Sequence, residues 1–244
     1  MATKQAWLVD LGHLSYGEAW AWQRRAAEAV WRREWPDTVA LVEHPPVYTI
    51  GRAAHGSRGN LLLDPAELQV RGIELYEVDR GGDITYHGPG QIVAYPIIDL
   101  NDQGRDLHRY LRNLEEAVMR TLAEWNIQGM RSPPHTGVWV GTDKVAAIGV
   151  KASHWISQHG LALNVCTNLD PFQGIVPCGI RDKGVTSMER CLGRPITPDD
   201  VKPSLIRHLG EVLRLDLAWA PPVLVAPGEH GSRRPPVERR ERAE

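Results

Sequence analysis

Three cysteines are the first residues to weigh as nucleophiles, and their surroundings rank them. Cys178 stands in Ile175-Val176-Pro177-Cys178-Gly179-Ile180. A cysteine between proline and glycine lies in a turn, with an accessible thiol and backbone N–H groups free to point at an oxyanion. Arg181 and Lys183 follow closely. A nearby cation favours the thiolate, which is the reactive form. Cys166 ends an apolar run and is expected to be buried. Cys191 lies in a polar stretch with no evident partner. Free cysteines are most often inert core residues, and Cys178 alone has a context suited to covalent catalysis.

Three further segments carry groups that could bind or activate a substrate. The first is Arg80-Gly81-Gly82-Asp83-Ile84-Thr85-Tyr86-His87-Gly88-Pro89-Gly90-Gln91, between two expected strands. Its paired glycines let the backbone come close to a ligand or another strand. Thr85-Tyr86-His87 is a compact set of donors, and Gly88-Pro89-Gly90 turns the chain. A hairpin turn with surface side chains would account for this glycine content equally well. The phosphate-loop pattern G-x-x-x-x-G-K-[ST] is absent. The second segment is Lys144-Val145-Ala146-Ala147-Ile148-Gly149-Val150. A lysine opening a strand is ordinarily a solvated edge charge, yet Ala146, Ala147 and Gly149 leave room on one face for an approaching chain or ligand. The third, His159-Gly160-Leu161-Ala162-Leu163-Asn164-Val165, reads as an apolar strand after a His-Gly turn. Leu163 and Val165 are expected in the core, and Gly160 and Ala162 toward a pocket.

Strands must position these groups. Short apolar runs are expected as strands over Trp7 to Leu11, Thr38 to Val42, Val47 to Ile50, Ile73 to Val78, Gln91 to Leu100, Gly137 to Val140, Val145 to Val150 and Gly160 to Val165. Ser15-Tyr16-Gly17-Glu18 is an S-x-x-E signature that opens a helix, with Pro36 as its stop. Asp106 caps a long helix through Trp125, and a final helix runs from Pro198 to Leu213, with proline in its first turn. Residues 52–64 read as a polar loop. Many strands with helices grouped at intervals, and no regular βαβ alternation, indicate a mixed α/β or α+β fold.

The 244 residues are enough for one large domain with a sizeable core. The net charge of −2 indicates no basic nucleic-acid surface. Three cysteines without a C-x-x-C pair argue against a disulfide framework or a thiol-rich zinc site. No apolar run is long enough to span a bilayer, and the first residues carry no signal core. A reducing, cytoplasmic compartment is expected. Residues 226–244 hold interleaved Arg and Glu with almost nothing apolar, so they are expected to form a flexible tail after a catalytic domain of residues 1–225.

Taken in order, Glu43-His44-Pro45 with Val47-Tyr48-Thr49, the stretch Arg80 to Gln91, Lys144 to Gly149, His159 to Asn164, and Pro177-Cys178-Gly179-Ile180 with Gly184-Val185-Thr186-Ser187 resemble the octanoyltransferases of lipoate biosynthesis. The likeness covers the chain from about Trp7 to about Asp216. It implies the α/β fold shared with lipoate and biotin protein ligases, a mostly antiparallel mixed sheet flanked by helices. It implies transfer of an octanoyl group from octanoyl-acyl carrier protein to a lysine ε-amine. The acceptors would be lipoyl domains of 2-oxoacid dehydrogenase E2 subunits and the glycine cleavage H protein. By the same likeness Cys178 is the nucleophile that forms an acyl thioester, and Lys144 sets its protonation state. The acyl-binding residues would be Arg80, Gly81, Gly82, Asp83, Ile84, Thr85, Tyr86 and His87, then Ala147, Ile148 and Gly149, then Gly160, Leu161 and Ala162. Gly149, Gly160 and Ala162 would leave space for the acyl chain. No cofactor, metal, nucleic acid or membrane is implied. Rival readings are an ATP-dependent lipoate ligase on the same fold, a silent binder of carrier proteins, and a thioesterase.

Overall fold

The computed structural model describes residues 3–56, 60–176 and 184–221. The expectations for Cys178 and for the tail 226–244 lie outside the described residues. Strand β1 (Lys4–His13) leads into helix α1 (Tyr16–Trp31), where the Ser15 hydroxyl accepts the Glu18 N–H as the S-x-x-E spacing requires. The helix stops before Pro36, because Arg33 adopts a left-handed φ of 61°. Strands β2 (Thr38–Glu43) and β3 (Val47–Ile50) follow, then a 3-10 turn over Arg52–Ala54 and helix α2 (Pro65–Arg71). Helix α2 was not expected, although Asp64 and Glu67 form a reciprocal capping box around Pro65. Strand β4 (Glu74–Glu77) precedes β5 (Ile84–His87), so the centre of the Arg80 to Gln91 stretch is a strand and not a hairpin turn.

Next come β6 (Gln91–Ile97), helix α3 (Leu107–Glu124) and four strands, β7 (Met130–Ser132), β8 (His135–Val140), β9 (Asp143–Ser153) and β10 (Ile156–Asn164). The Asp106 carboxylate caps α3 by accepting the Arg109 N–H at 2.9 Å. A 3-10 turn over Asp170–Gly174, helix α4 (Met188–Leu192), helix α5 (Pro198–Leu213) and β11 (Leu215–Trp219) complete the described chain. His159 is not in a turn. It lies within β10 with φ 58°, and the hairpin from β9 turns instead at His154 and Trp155.

The main sheet runs β11-β1-β2-β6-β10-β9-β8-β7, and a smaller one runs β4-β3-β5. Strand β1 pairs parallel with β11 and β2, while β2·β6, β6·β10, β10·β9, β9·β8 and β8·β7 are antiparallel. This is the mostly antiparallel mixed sheet flanked by helices that the family likeness implies. Alternation along the strands sorts side chains to two cores. Ala94, Ala146, Leu161 and Leu163 face α3 and α5, and Val93, Tyr95 and Ala162 share the opposite face with α1. Ala146 therefore lies in the core and leaves no room for a ligand. The smaller sheet has its own cluster around Tyr48, Ile84, Tyr86 and Phe172.

Candidate active site

A cleft lies on the α1 face of the main sheet, roofed by the smaller sheet. Register across the strands builds its floor. Gln91 pairs with Asn164, Val93 with Ala162, Ala162 with Ala147, and Gly160 with Gly149. About 780 Å3 of empty space, partly open to solvent, is enclosed by these residues with Tyr16, Tyr95, His159, Lys144 and residues of the Arg80 to His87 stretch.

Of the residues singled out in the sequence, Arg80, Gly82, Asp83, Ile84, Thr85, His87, Lys144, Ala147, Ile148, Gly149, Gly160, Leu161 and Ala162 line this cleft. Gly81 and Tyr86 do not. Gly81 donates its N–H to Val150 O at 2.8 Å, and Tyr86 packs its ring against Tyr48 and Phe172. Cys178 lies outside the described residues. The chain on both sides of it is tied down. Val176 N–H donates to Asn60 O, Lys144 N–H donates to Gly184 O at 3.0 Å, and Thr186 N–H donates to Lys144 O at 3.0 Å.

Lys144 is buried, contrary to the usual solvated edge lysine, and its Nζ sits 4.8 Å from the centre of the Trp139 ring. Arg80 is buried as well. Its guanidinium donates to Thr49 O at 2.7 Å, to Thr49 Oγ1 at 2.9 Å and to Gly81 O at 3.0 Å. These bonds turn a flexible cation into a fixed part of the wall.

Glycine serves differently here than expected. A Cβ on Gly160 would fall 2.1 Å from Ala94 O, and one on Gly149 would fall 2.9 Å from Gly81 O. Neighbouring backbone already fills the space those side chains vacate. Both residues line the cleft because a strand or loop backbone closes up against them, not because they leave a slot.

A hydrogen-bond chain runs from the smaller sheet to the Lys144 end. Gln91 Nε2 donates to Asn164 Oδ1 at 2.8 Å and to Tyr86 O at 3.2 Å, and Asn164 Nδ2 donates to Thr186 O at 3.0 Å. Gln91 Oε1 must then accept, so His87 carries its proton on Nδ1, 2.8 Å away. Burial, with His44 nearby, holds the His87 imidazole down to about 3, and burial holds His44 down to about 4. Both rings are neutral at pH 7. His44 donates from Nδ1 to Leu14 O at 2.8 Å and accepts from the Tyr95 hydroxyl at 2.7 Å.

A second array closes the far end. His159 Nε2–H donates to Asp79 Oδ1 at 2.8 Å, its Nδ1 faces the Tyr16 hydroxyl at 3.4 Å, and Lys151 Nζ meets Asp79 Oδ2 at 2.5 Å. The His159 bond, reinforced by Lys151, holds the Asp79 carboxyl well below the usual carboxylate range. Burial lowers His159 against the pull of Asp79, and burial raises the Tyr16 phenol. Sequence reasoning did not place Tyr16, Asp79, Val93, Tyr95, Thr136 or Phe172 at the site. His159, Gln91 and Asn164 stood within the family-like stretches but had no assigned role. Tyr16 carried a signal only as part of a helix start.

An eight-stranded mixed sheet with a second small sheet roofing a cleft on one face is the catalytic fold of lipoate and biotin protein ligases. The bipartite lipoate protein ligase of Thermoplasma acidophilum superposes with a TM-score of 0.69 at 18% identity, covering 89% of this chain and 87% of that one. Biotin protein ligase from Aquifex aeolicus superposes with a TM-score of 0.51 at 14% identity, covering 86% and 71%. At such identities the likeness concerns the fold. A family model for the lipoyl protein ligase A/B catalytic domain matches residues 15–210, and the chain belongs to that family. Its relatives include the octanoyltransferase of Rubrobacter xylanophilus, 52% identical over 203 residues, covering 83% of this chain and 90% of that one. The octanoyltransferase of Flavobacterium psychrophilum is 45% identical over 222 residues, covering 84% and 95%. The chain is accordingly an acyltransferase of the octanoyltransferase type, acting in protein lipoylation.

Proposed function

We propose that the protein takes an octanoyl group from octanoyl-acyl carrier protein onto Cys178 and passes it to the ε-amine of a lysine on a lipoyl domain. The supporting observation is the convergence on one cleft of residues from separate stretches of the chain, with buried Lys144 bonded through its backbone to Gly184 and Thr186 in the segment that follows the Cys178 turn.

The chemistry balances without an outside energy source. A Cys178 thiolate attacks the acyl thioester and the carrier thiolate leaves, so one thioester replaces another. The lysine amine then attacks the enzyme thioester. An amide forms, the Cys178 sulfur leaves, and the amine gives up a proton. Replacing a thioester by an amide is downhill, so no nucleotide enters the scheme. A cation close to the thiol favours the thiolate, and Lys144 is the candidate for that role and for carrying the proton between amine and sulfur. The cleft floor from Asn164 to Gly160 would hold the acyl chain, with Arg80 to His87 as its roof. E2 lipoyl domains and the glycine cleavage H protein are the proposed acceptors.

Intact mass of the protein after mixing with octanoyl-acyl carrier protein, without ATP, tests this reading. One added octanoyl group is expected. It should be released by hydroxylamine, discharged by a lipoyl domain, and absent in Cys178→Ser. No adduct on the folded protein would reject the covalent mechanism. ATP–pyrophosphate exchange would then identify the ligase activity of proteins that share the fold.

A further inference from the structure

The Tyr16–His159–Asp79 array has no part in the chemistry above. Tyr16 and His159 are buried and Asp79 is half-buried; the array is hydrogen-bonded and built from three separate elements: the first residue of α1, the middle of β10, and the loop after β4. The His159 backbone is held at φ 58°, and its N–H donates to the Gln23 side chain at 2.8 Å. The array has a defined place on the cleft floor. That floor descends through the Gln91–Asn164, Val93–Ala162–Ala147 and Gly160–Gly149 rungs, and His159 follows, paired with Val150. From Asn164 to Gly160 is four residues of strand, about 13 Å. The Lys144 end of the cleft is at Asn164, whose side chain donates to Thr186 O, while the Thr186 N–H donates to Lys144 O. The middle rung is apolar. At the last rung Arg80 lies against Gly149, His159 follows Gly160 in the chain and faces the Tyr16 hydroxyl, and these polar residues line the cleft together with Tyr95.

An extended octanoyl chain has seven C–C bonds of about 1.5 Å in zigzag, roughly 9 Å in all. With its carbonyl carbon at the Lys144 end, its methyl group reaches the last apolar rung and stops short of the array. Each methylene removed from water favours binding roughly fourfold, so an apolar tunnel would prefer ever longer chains. A wall of desolvated polar groups reverses that trend. A ninth or tenth carbon would be pressed against the Tyr16 hydroxyl and the Arg80 guanidinium, groups that cannot trade their hydrogen bonds for a methylene.

We propose that Tyr16, held by His159 and Asp79, is the polar end wall of the acyl slot and limits the acyl chain to about eight carbons. Tyr16 is the residue that meets the chain, and His159 and Asp79 are positioning residues that act through it. The inference rests on the acyl-transfer reading above.

The test is a competition in one vessel. Equal octanoyl- and decanoyl-acyl carrier protein compete for the full-length protein, and mass spectrometry reads the ratio of the two acyl adducts early in the reaction. That ratio does not depend on how much of a variant is folded. Wild type is expected to favour octanoyl at least tenfold. Tyr16→Phe keeps the ring stacked on His87 and removes the hydroxyl, and should shift the ratio at least fivefold toward decanoyl. Asp79→Ala frees His159 and should shift it the same way. Asp79→Asn retains an acceptor for the His159 N–H and should stay near wild type. A wild-type ratio near one, or a wild-type ratio preserved in both Tyr16→Phe and Asp79→Ala, would overturn the end wall while leaving acyl transfer intact. A wild-type protein that takes up neither acyl group would remove the transfer reading itself.

Discussion

The imidazoles of His44 and His87 are neutral because they are buried, and this has a consequence for stability. Both rings start from an ordinary value of 6.5 and are held down to about 4 and about 3 in the fold. His159 is lowered too. Below pH 6.5 the unfolded chain binds protons on these rings that the folded chain refuses. The stability they contribute is complete above pH 6.5 and is lost as the pH falls toward 4. The urea midpoint should therefore drop between pH 7 and pH 5. A His44→Gln variant retains a donor for Leu14 O and an acceptor for the Tyr95 hydroxyl. Its drop in stability over that interval should be smaller than that of wild type by about 2 kcal/mol. An equal drop in both proteins would mean that His44 is not held neutral by burial. At the same scale, Lys144, a lysine of the kind that is ordinarily solvated at a strand edge, is buried and lines the cleft. Nothing in Lys144-Val145-Ala146 says that the side chain will lie over Trp139, which precedes it on β8.

At the scale of elements, the glycines of β9 and β10 set how closely strands pack. A Cβ on Gly160 would overlap Ala94 O on the neighbouring strand β6, whereas one on Gly149 meets only the Gly81 loop at 2.9 Å. Gly160→Ala should cost about 2–3 kcal/mol and Gly149→Ala less, as thermal melts would show. The reverse order would contradict the close β6–β10 approach. Helix α3 is tied to the β8 side of the cleft by Glu115. Its fully buried carboxylate accepts from Arg112 at 2.7 Å, from Arg131 at 2.9 Å and from the Gly137 N–H at 3.1 Å. Glu115→Ala strands these donors and should cost about 3 kcal/mol in urea unfolding. Next along β8, Thr136 lines the cleft, so slower acyl uptake in that variant is expected as well.

For the whole molecule, the decisive joint is the Arg80 loop between the two sheets. Its backbone accepts from Gly51, Arg52 and Ala53 after β3 and donates through Gly81 to Val150 on β9. The Arg80 side chain reaches back to Thr49 on β3. Arg80→Met keeps an apolar stem but leaves Thr49 O without its donor, so stability should fall by about 1–3 kcal/mol. Acyl uptake should fall further, because the roof of the cleft is set by the same loop. A variant with lowered stability and unchanged uptake would show that the roof does not depend on this joint. Among the described residues no helix is long and apolar enough to cross a membrane.

Much of this protein was legible before any fold was known, because the relevant signals act over a few residues. Ser15, Asp106 and Pro198 start helices by satisfying nearby N–H groups or by presetting φ, and apolar alternation marks most of the strands. The order of the family-like stretches, ending at Pro177-Cys178-Gly179-Ile180 with Gly184-Val185-Thr186-Ser187, indicated the reaction class. Helix α2 was also legible in Asp64-Pro65-Ala66-Glu67 and passed unread. What required the tertiary structure was everything set by pairing between distant segments. The register Val93–Ala162–Ala147 makes a floor, and that partner choice spans the chain. Close approach of Ala94 to Gly160 and of Gly81 to Gly149 turned supposed gaps into tight contacts. Tyr16 meets His159 across 143 positions of sequence, and His159 meets Asp79 across 80. A local pattern encodes a cap or a strand. Only packing of the whole chain brings a helix start, a strand interior and a loop carboxylate to one end of a cleft, because their contact energy exists only once the sheet between them has formed.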